Sequence, residues 1–181
     1  MAPDNITEWT PSARLEWSHF EADAHSGAYQ DALASIRYDC NWVVESHKSG
    51  ESLFFTIQNI RLITSLVRNL SWVRRGVADD ALLAHMQGCF DLAEHLRPDM
   101  EEILAARFSQ KRYPVRGSNE EERRQCSLQD SRTALGHLDD IHQMLSSEIA
   151  RYESDTEYGR NAKVQSKYDR MFEEMRRARS A

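Results

Sequence analysis

Residues 51–76, ESLFFTIQNIRLITSLVRNLSWVRRG, constrain the fold more than any other part of the chain, because residues 53–73 form its most hydrophobic stretch. Phe54, Ile57, Ile60, Ile63, Val67 and Leu70 recur every three or four positions, and Phe55, Leu62, Leu66 and Trp72 widen the apolar face. That spacing predicts a central helix covered on several sides, since burying one narrow stripe would leave too many large side chains in water. The β-branched residues also permit a strand. A strand of roughly twenty residues, however, is far longer than the usual five or six, so the spacing decides for a helix.

The flanking segments read the same way. Tyr29, Leu33, Ile36, Cys40 and Val43 predict a helix ending near Ser49-Gly50, and Gly76 stops the segment that follows. Asp79 and Asp80 are placed to cap a third stripe of Leu82, Met86, Cys89, Ala93 and Leu96. Pro98 either kinks that helix or starts another, with Met100, Ile103, Leu104 and Phe108 continuing the face. Residues 109–119 hold Pro114 and Gly117 and read as a loop. Leu128, Ser131, Leu135, Leu138, His142, Leu145, Ile149 and Tyr152 form the most regular three-four pattern, and Val164, Tyr168, Met171, Phe172 and Met175 form the last. The expectation is therefore all-α: a bundle of four principal helices over residues 12–152, with short additional N- and C-terminal helices. Residues 160–181 are expected to be a C-terminal docking helix.

With 181 residues the chain fits one ordinary domain, and only 7 Gly and 4 Pro leave room for few turns, which favours long elements. The net charge of -6 disfavours non-specific attraction to nucleic acid. Residues 160–181 run against that average with seven basic and three acidic side chains. Three widely spaced cysteines, Cys40, Cys89 and Cys126, suggest neither a disulfide framework nor a zinc knuckle, and a reducing, cytoplasmic location is expected. No transmembrane segment or signal-peptide pattern is read, because Asn59, Arg61, Arg68 and Asn69 interrupt the most apolar stretch. No cofactor signature, phosphate loop or nucleophile elbow is present.

Two constellations carry chemistry. Glu16 with His19, and Asp139 with His142, each place an acid and an imidazole three residues apart on a predicted helix. Two such pairs facing inward would hold iron, manganese or zinc. The second is Arg132-Thr133-Ala134-Leu135-Gly136-His137, which resembles the short Arg/His motif of HEPN-type helical-bundle ribonucleases. That resemblance covers six residues and departs from the family pattern at Thr133, where Asn, Asp or His is frequent. It implies that Arg132 stabilises the scissile phosphate and that His137 moves a proton to or from the ribose 2′-hydroxyl across a dimer.

The surplus of apolar helical faces over strong catalytic spacing favours a non-catalytic protein-protein interaction or regulatory protein. Its expected partner is another protein or a second copy, engaged through an apolar helix face or the C-terminal helix. The alternative is a small helical-bundle enzyme, either metal-dependent or HEPN-like.

Overall fold

The computed structural model describes residues 5–136 and 138–180. It corrects the all-α expectation: the protein is mixed α/β with two β-sheets, not a helical bundle. In chain order the elements are β1 (Ile6–Glu8), β2 (Ala32–Leu33), β3 (Ile36–Ser49), β4 (Ser52–Val67), β5 (Trp72–Val73), α1 (Asp80–Phe108), β6 (Tyr113–Pro114), α2 (Glu120–Leu135), α3 (Asp139–Asp155) and α4 (Ala162–Ser180). Single 3₁₀ turns occupy Trp17–His19 and Arg68–Leu70. One sheet runs β1-β4-β3 with β6 added to β4, and the other pairs β2 with β5.

The two segments read as the first long helices are strands β3 and β4. Gly50, with φ 61, begins the two-residue link between them, a conformation that glycine supplies without steric cost. Such a short link joins antiparallel neighbours only. Side-chain burial along β4 explains the misleading spacing. Phe55 and Ile57 are buried at odd positions, whereas Ile60, Leu62 and Thr64 are buried at even ones, before both faces are covered from Thr64 to Val67. The change falls at Asn59, whose φ of 51 is left-handed, as where a β-bulge inserts one residue and restarts the alternation. A two-residue period with one slip therefore imitates a three-four period over this stretch.

The chain divides into two compact units. The first comprises Met1–Asp39, Ile63–Arg97 and Met144–Ala181, and it contains α4, the expected docking helix. In this unit β1 pairs antiparallel with the end of β4, Ile6 opposite Val67 and Glu8 opposite Ser65. Its core gathers Leu15, Phe20, Ala32, Leu66, Met86, Cys89, Phe90, Leu92, Tyr152 and Phe172. A buried ion cluster adds to that core. Arg176 pairs with Asp91, and it also donates to the carbonyls of Pro11 at 2.7 Å and Ala13 at 3.0 Å. Trp9 donates its indole N–H to Asp91 at 2.7 Å and lies under the Arg176 guanidinium. Arg179 pairs with Glu94 and donates to the Glu94 carbonyl at 3.2 Å. That carbonyl is the one Pro98, four residues on, has no N–H to reach, so Arg179 meets an acceptor that the proline inside α1 sets free.

The second unit comprises Cys40–Leu62 and Pro98–Gln143. Here β6 pairs with the start of β4, and Tyr113 stacks on the fully buried Phe55 at 5.0 Å between ring centres. Met100, Leu104 and Phe108 of α1, Leu135 of α2 and Ile141 of α3 are buried with them. Trp42 donates to Ser131 at 2.9 Å, and the Leu62 N–H donates to Glu101 at 2.7 Å. Asn119 caps α2 through the Glu122 N–H at 2.9 Å. The long helix expected over 128–152 is split between α2, which ends at Leu135, and α3, which starts at Asp139.

Candidate metal centre

The strongest chemical constellation among the described residues lies in the first unit and is made by His85, Cys89 and Glu153. His85 and Cys89 stand four residues apart on α1, so they share one face of the helix, and Glu153 comes from the last turn of α3. One donor atom from each side chain lies within 4.8 Å of the others. A tetrahedral ion with ligand bonds of about 2.0–2.3 Å holds its donors roughly 3.5 Å apart, so binding draws the three donors somewhat closer together. All three residues are buried, His85 completely.

The environment of His85 is the most informative part. Tyr152 stacks on the imidazole at 5.0 Å with only 9° between the planes, and Tyr158 meets it edge-on at 6.2 Å. Both ring nitrogens are inaccessible to solvent, and neither reaches a hydrogen-bond partner of good geometry among the described residues. An imidazole left in that state forfeits about 1–3 kcal/mol for each unmet buried group, whereas a metal ion satisfies a ring nitrogen directly. Burial lowers the His85 pKa; the approach of the Gln165 side chain, itself held by Tyr152 and Asp169, pulls the other way. Burial also raises the Cys89 thiol well above its ordinary value, with the Glu153 charge adding to the rise, and it raises the Glu153 carboxyl. Burial thus disfavours the charged forms in the metal-free cluster, and a divalent ion would displace the thiol proton of Cys89 as it binds.

Local backbone chemistry fixes these positions. Gly88 lets the Tyr152 ring approach α1 closely: a Cβ at that position would lie 2.0 Å from the Tyr152 oxygen. At the end of α3 the Tyr158 N–H donates to the Glu153 carbonyl at 2.9 Å and the Glu157 N–H to the Ser154 carbonyl at 3.1 Å, the Schellman pair of helix termination. Glu157, Tyr158 and Gly159 follow with φ of 50, 56 and 82. The turn delivers Gly159 onto α1, where its own Cβ would stand 3.0 Å from the Cβ of His85.

The residues proposed from the sequence occupy other places. Glu16 and His19 close the 3₁₀ turn on themselves, with the Glu16 N–H donating to His19 Nδ1 at 3.3 Å, and they belong to the first unit. Asp139 is exposed in the first turn of α3 and His142 is half-buried one turn later, both in the second unit. Arg132 is exposed in the last turn of α2, and His137 lies outside the described residues. The sequence reading placed Cys89 in an apolar stripe and passed over His85 and Glu153. The available signal was a His-x-x-x-Cys spacing on an otherwise apolar helix face.

Comparison of the chain with protein-family models, with curated proteins and with solved structures gives no match. Among the described residues, no helix is long and apolar enough to cross a membrane.

Proposed function

We propose that this protein binds a divalent transition metal of the zinc type through His85, Cys89 and Glu153. The observation that carries this reading is a fully buried imidazole, both nitrogens sealed from solvent and the Gln165 side chain its polar neighbour, held beside a buried thiol and a buried carboxyl. Nitrogen, sulfur and oxygen donors together suit zinc, cobalt or iron better than magnesium or calcium, which prefer oxygen alone. The reading belongs with a metal-dependent helix-borne site and does not require the pairs Glu16/His19 and Asp139/His142.

The test is metal content and thermal stability of the full-length protein. After exposure to zinc and removal of the excess, the protein retains about one equivalent, and zinc at a hundredfold excess over its dissociation constant stabilises the fold by about 2.7 kcal/mol. His85→Ala, Cys89→Ala and Glu153→Gln each abolish or sharply weaken both effects. Equal zinc retention by the parent protein and the triple variant would refute the assignment.

A protein partner is the second reading, favoured by Leu70, which is 57% exposed beside buried Ser71 and Trp72. If Leu70 sits in an interface, Leu70→Lys lowers the molecular mass measured by light scattering at high protein concentration; an unchanged mass counts against it.

A further inference from the structure

A cleft of about 550 Å3 opens in the first unit apart from the metal centre, none of whose three donors lines it. That volume is in the range of small-molecule sites. Its floor is apolar: Ala32 and Met86 are 3% and 2% exposed, and Leu82 of α1 is half-buried with them. Its mouth is aromatic, for Tyr29, 81% exposed, and Tyr158 meet through their hydroxyls. Three charged side chains complete the lining, Asp31, Asp79 and Arg160. Asp79 is committed to α1, where it accepts the Leu82 N–H at 2.8 Å and the helix dipole offsets its charge. Asp31 and Arg160 are exposed, and neither side chain has an ion-pair or hydrogen-bond partner among the described residues. They belong to the two segments that meet at the mouth, Asp31 to that of Tyr29 and Arg160 to that of Tyr158. We infer that this cleft binds a small zwitterion with an apolar side chain, an α-amino acid, whose ammonium group meets Asp31 and whose carboxylate meets Arg160.

Charge decides the class of ligand. A simple anion is drawn by Arg160 and repelled by Asp31, and a simple cation meets the reverse, so either one leaves a charge of the cleft unmatched. A zwitterion answers both. Its charged ends exchange water for a carboxylate and a guanidinium, which form charge-assisted hydrogen bonds, the stronger kind. Its side chain leaves water for the surface of Ala32, Leu82 and Met86, and the unbranched thioether of Met86 adapts to side chains of different shape. The exposed ring of Tyr29 offers further apolar area at the mouth for a bound molecule to cover.

The experiment titrates the full-length protein calorimetrically with L-phenylalanine and L-leucine, and with two analogues of the former: phenylpropanoate, which lacks the ammonium group, and phenethylamine, which lacks the carboxylate. The expected result is saturable binding of L-phenylalanine, at least about tenfold tighter than that of either analogue. Asp31→Asn and Arg160→Gln, both at exposed positions, are each expected to weaken L-phenylalanine binding about tenfold. Asp31→Asn leaves phenylpropanoate binding no weaker, and Arg160→Gln leaves phenethylamine binding no weaker. Ala81→Trp, at an exposed lining position, narrows the cleft and weakens all of these ligands; Val77→Trp blocks another part of the rim should that variant fold poorly. Failure of both amino acids to bind would overturn the inference. Phenethylamine or phenylpropanoate binding as tightly as L-phenylalanine would overturn the ligand class in favour of a simple cation or anion, and amino-acid affinity unchanged in the charge and cleft variants would overturn the site. Each of these outcomes leaves the metal centre standing, because zinc retention is measured separately.

Discussion

At the residue scale, the contact between Gly88 and Tyr152 decides how closely α3 lies against the face of α1 that carries His85 and Cys89. Tyr152 is 1% exposed, stacks on His85 and holds Gln165 through its hydroxyl, so its ring has nowhere to retreat. A methyl group at position 88 displaces it. Gly88→Ala is expected to cost about 1–3 kcal/mol in denaturant unfolding, the usual penalty for overfilling a core. Combining it with Tyr152→Phe removes the oxygen that clashes first and should recover part of that loss, but not all, because Cζ of Tyr152 would still be 2.8 Å away. If Gly88→Ala unfolded at the same denaturant concentration as the parent, the close approach would not constrain the site.

At the scale of elements, β4 depends on one left-handed residue. Asn59 tolerates φ 51 because its short polar side chain suits that region, and glycine suits it better still; a β-branched residue there brings its side chain against the following carbonyl. Asn59→Val should lower stability by about 1–2 kcal/mol, whereas Asn59→Gly should be close to neutral. Equal effects of the two substitutions on the unfolding midpoint would contradict a backbone origin. The same position explains why the strand resembled a helix on paper: the slip between Ile57 and Ile60 converts an alternating pattern into a three-residue step.

At the scale of the whole molecule, α4 is part of the first unit's core and not an appendage. It buries Phe172 among Tyr152 and Tyr168, and it buries Arg176 against Asp91 and the carbonyls of the N-terminal segment. Ending the chain after Gly159 exposes that core and strands Asp91 without its guanidinium; breaking such a buried pair costs about 3–5 kcal/mol even before the lost apolar cover is counted. The truncated protein is expected to lose cooperative thermal unfolding and zinc retention together. A truncated chain that unfolds at the parent's temperature would show that α4 contributes nothing to the unit.

Local chemistry alone determined much of the second half of the chain. The stripes of Leu82–Leu96 and Met100–Phe108 correspond to α1, the Val164–Met175 stripe to α4, and the Asp79 cap to the start of α1. These features are set within a few residues, by a missing N–H, a capping oxygen or a repeated face, and they survive whatever surrounds them. Only the tertiary structure decided that β3 and β4 are strands, because β-branched and aromatic residues fit both helix and sheet, and the outcome rests on which neighbours supply backbone partners. It alone brought Glu153 to His85 and Cys89, since a ligand set drawn from two elements has no sequence spacing. And it alone made His85 notable: an imidazole becomes a candidate ligand when packing removes water from both of its nitrogens and sets a buried thiol and a buried carboxyl beside it, a condition created with Tyr152, Glu153, Tyr158 and Gly159 from the far end of the chain.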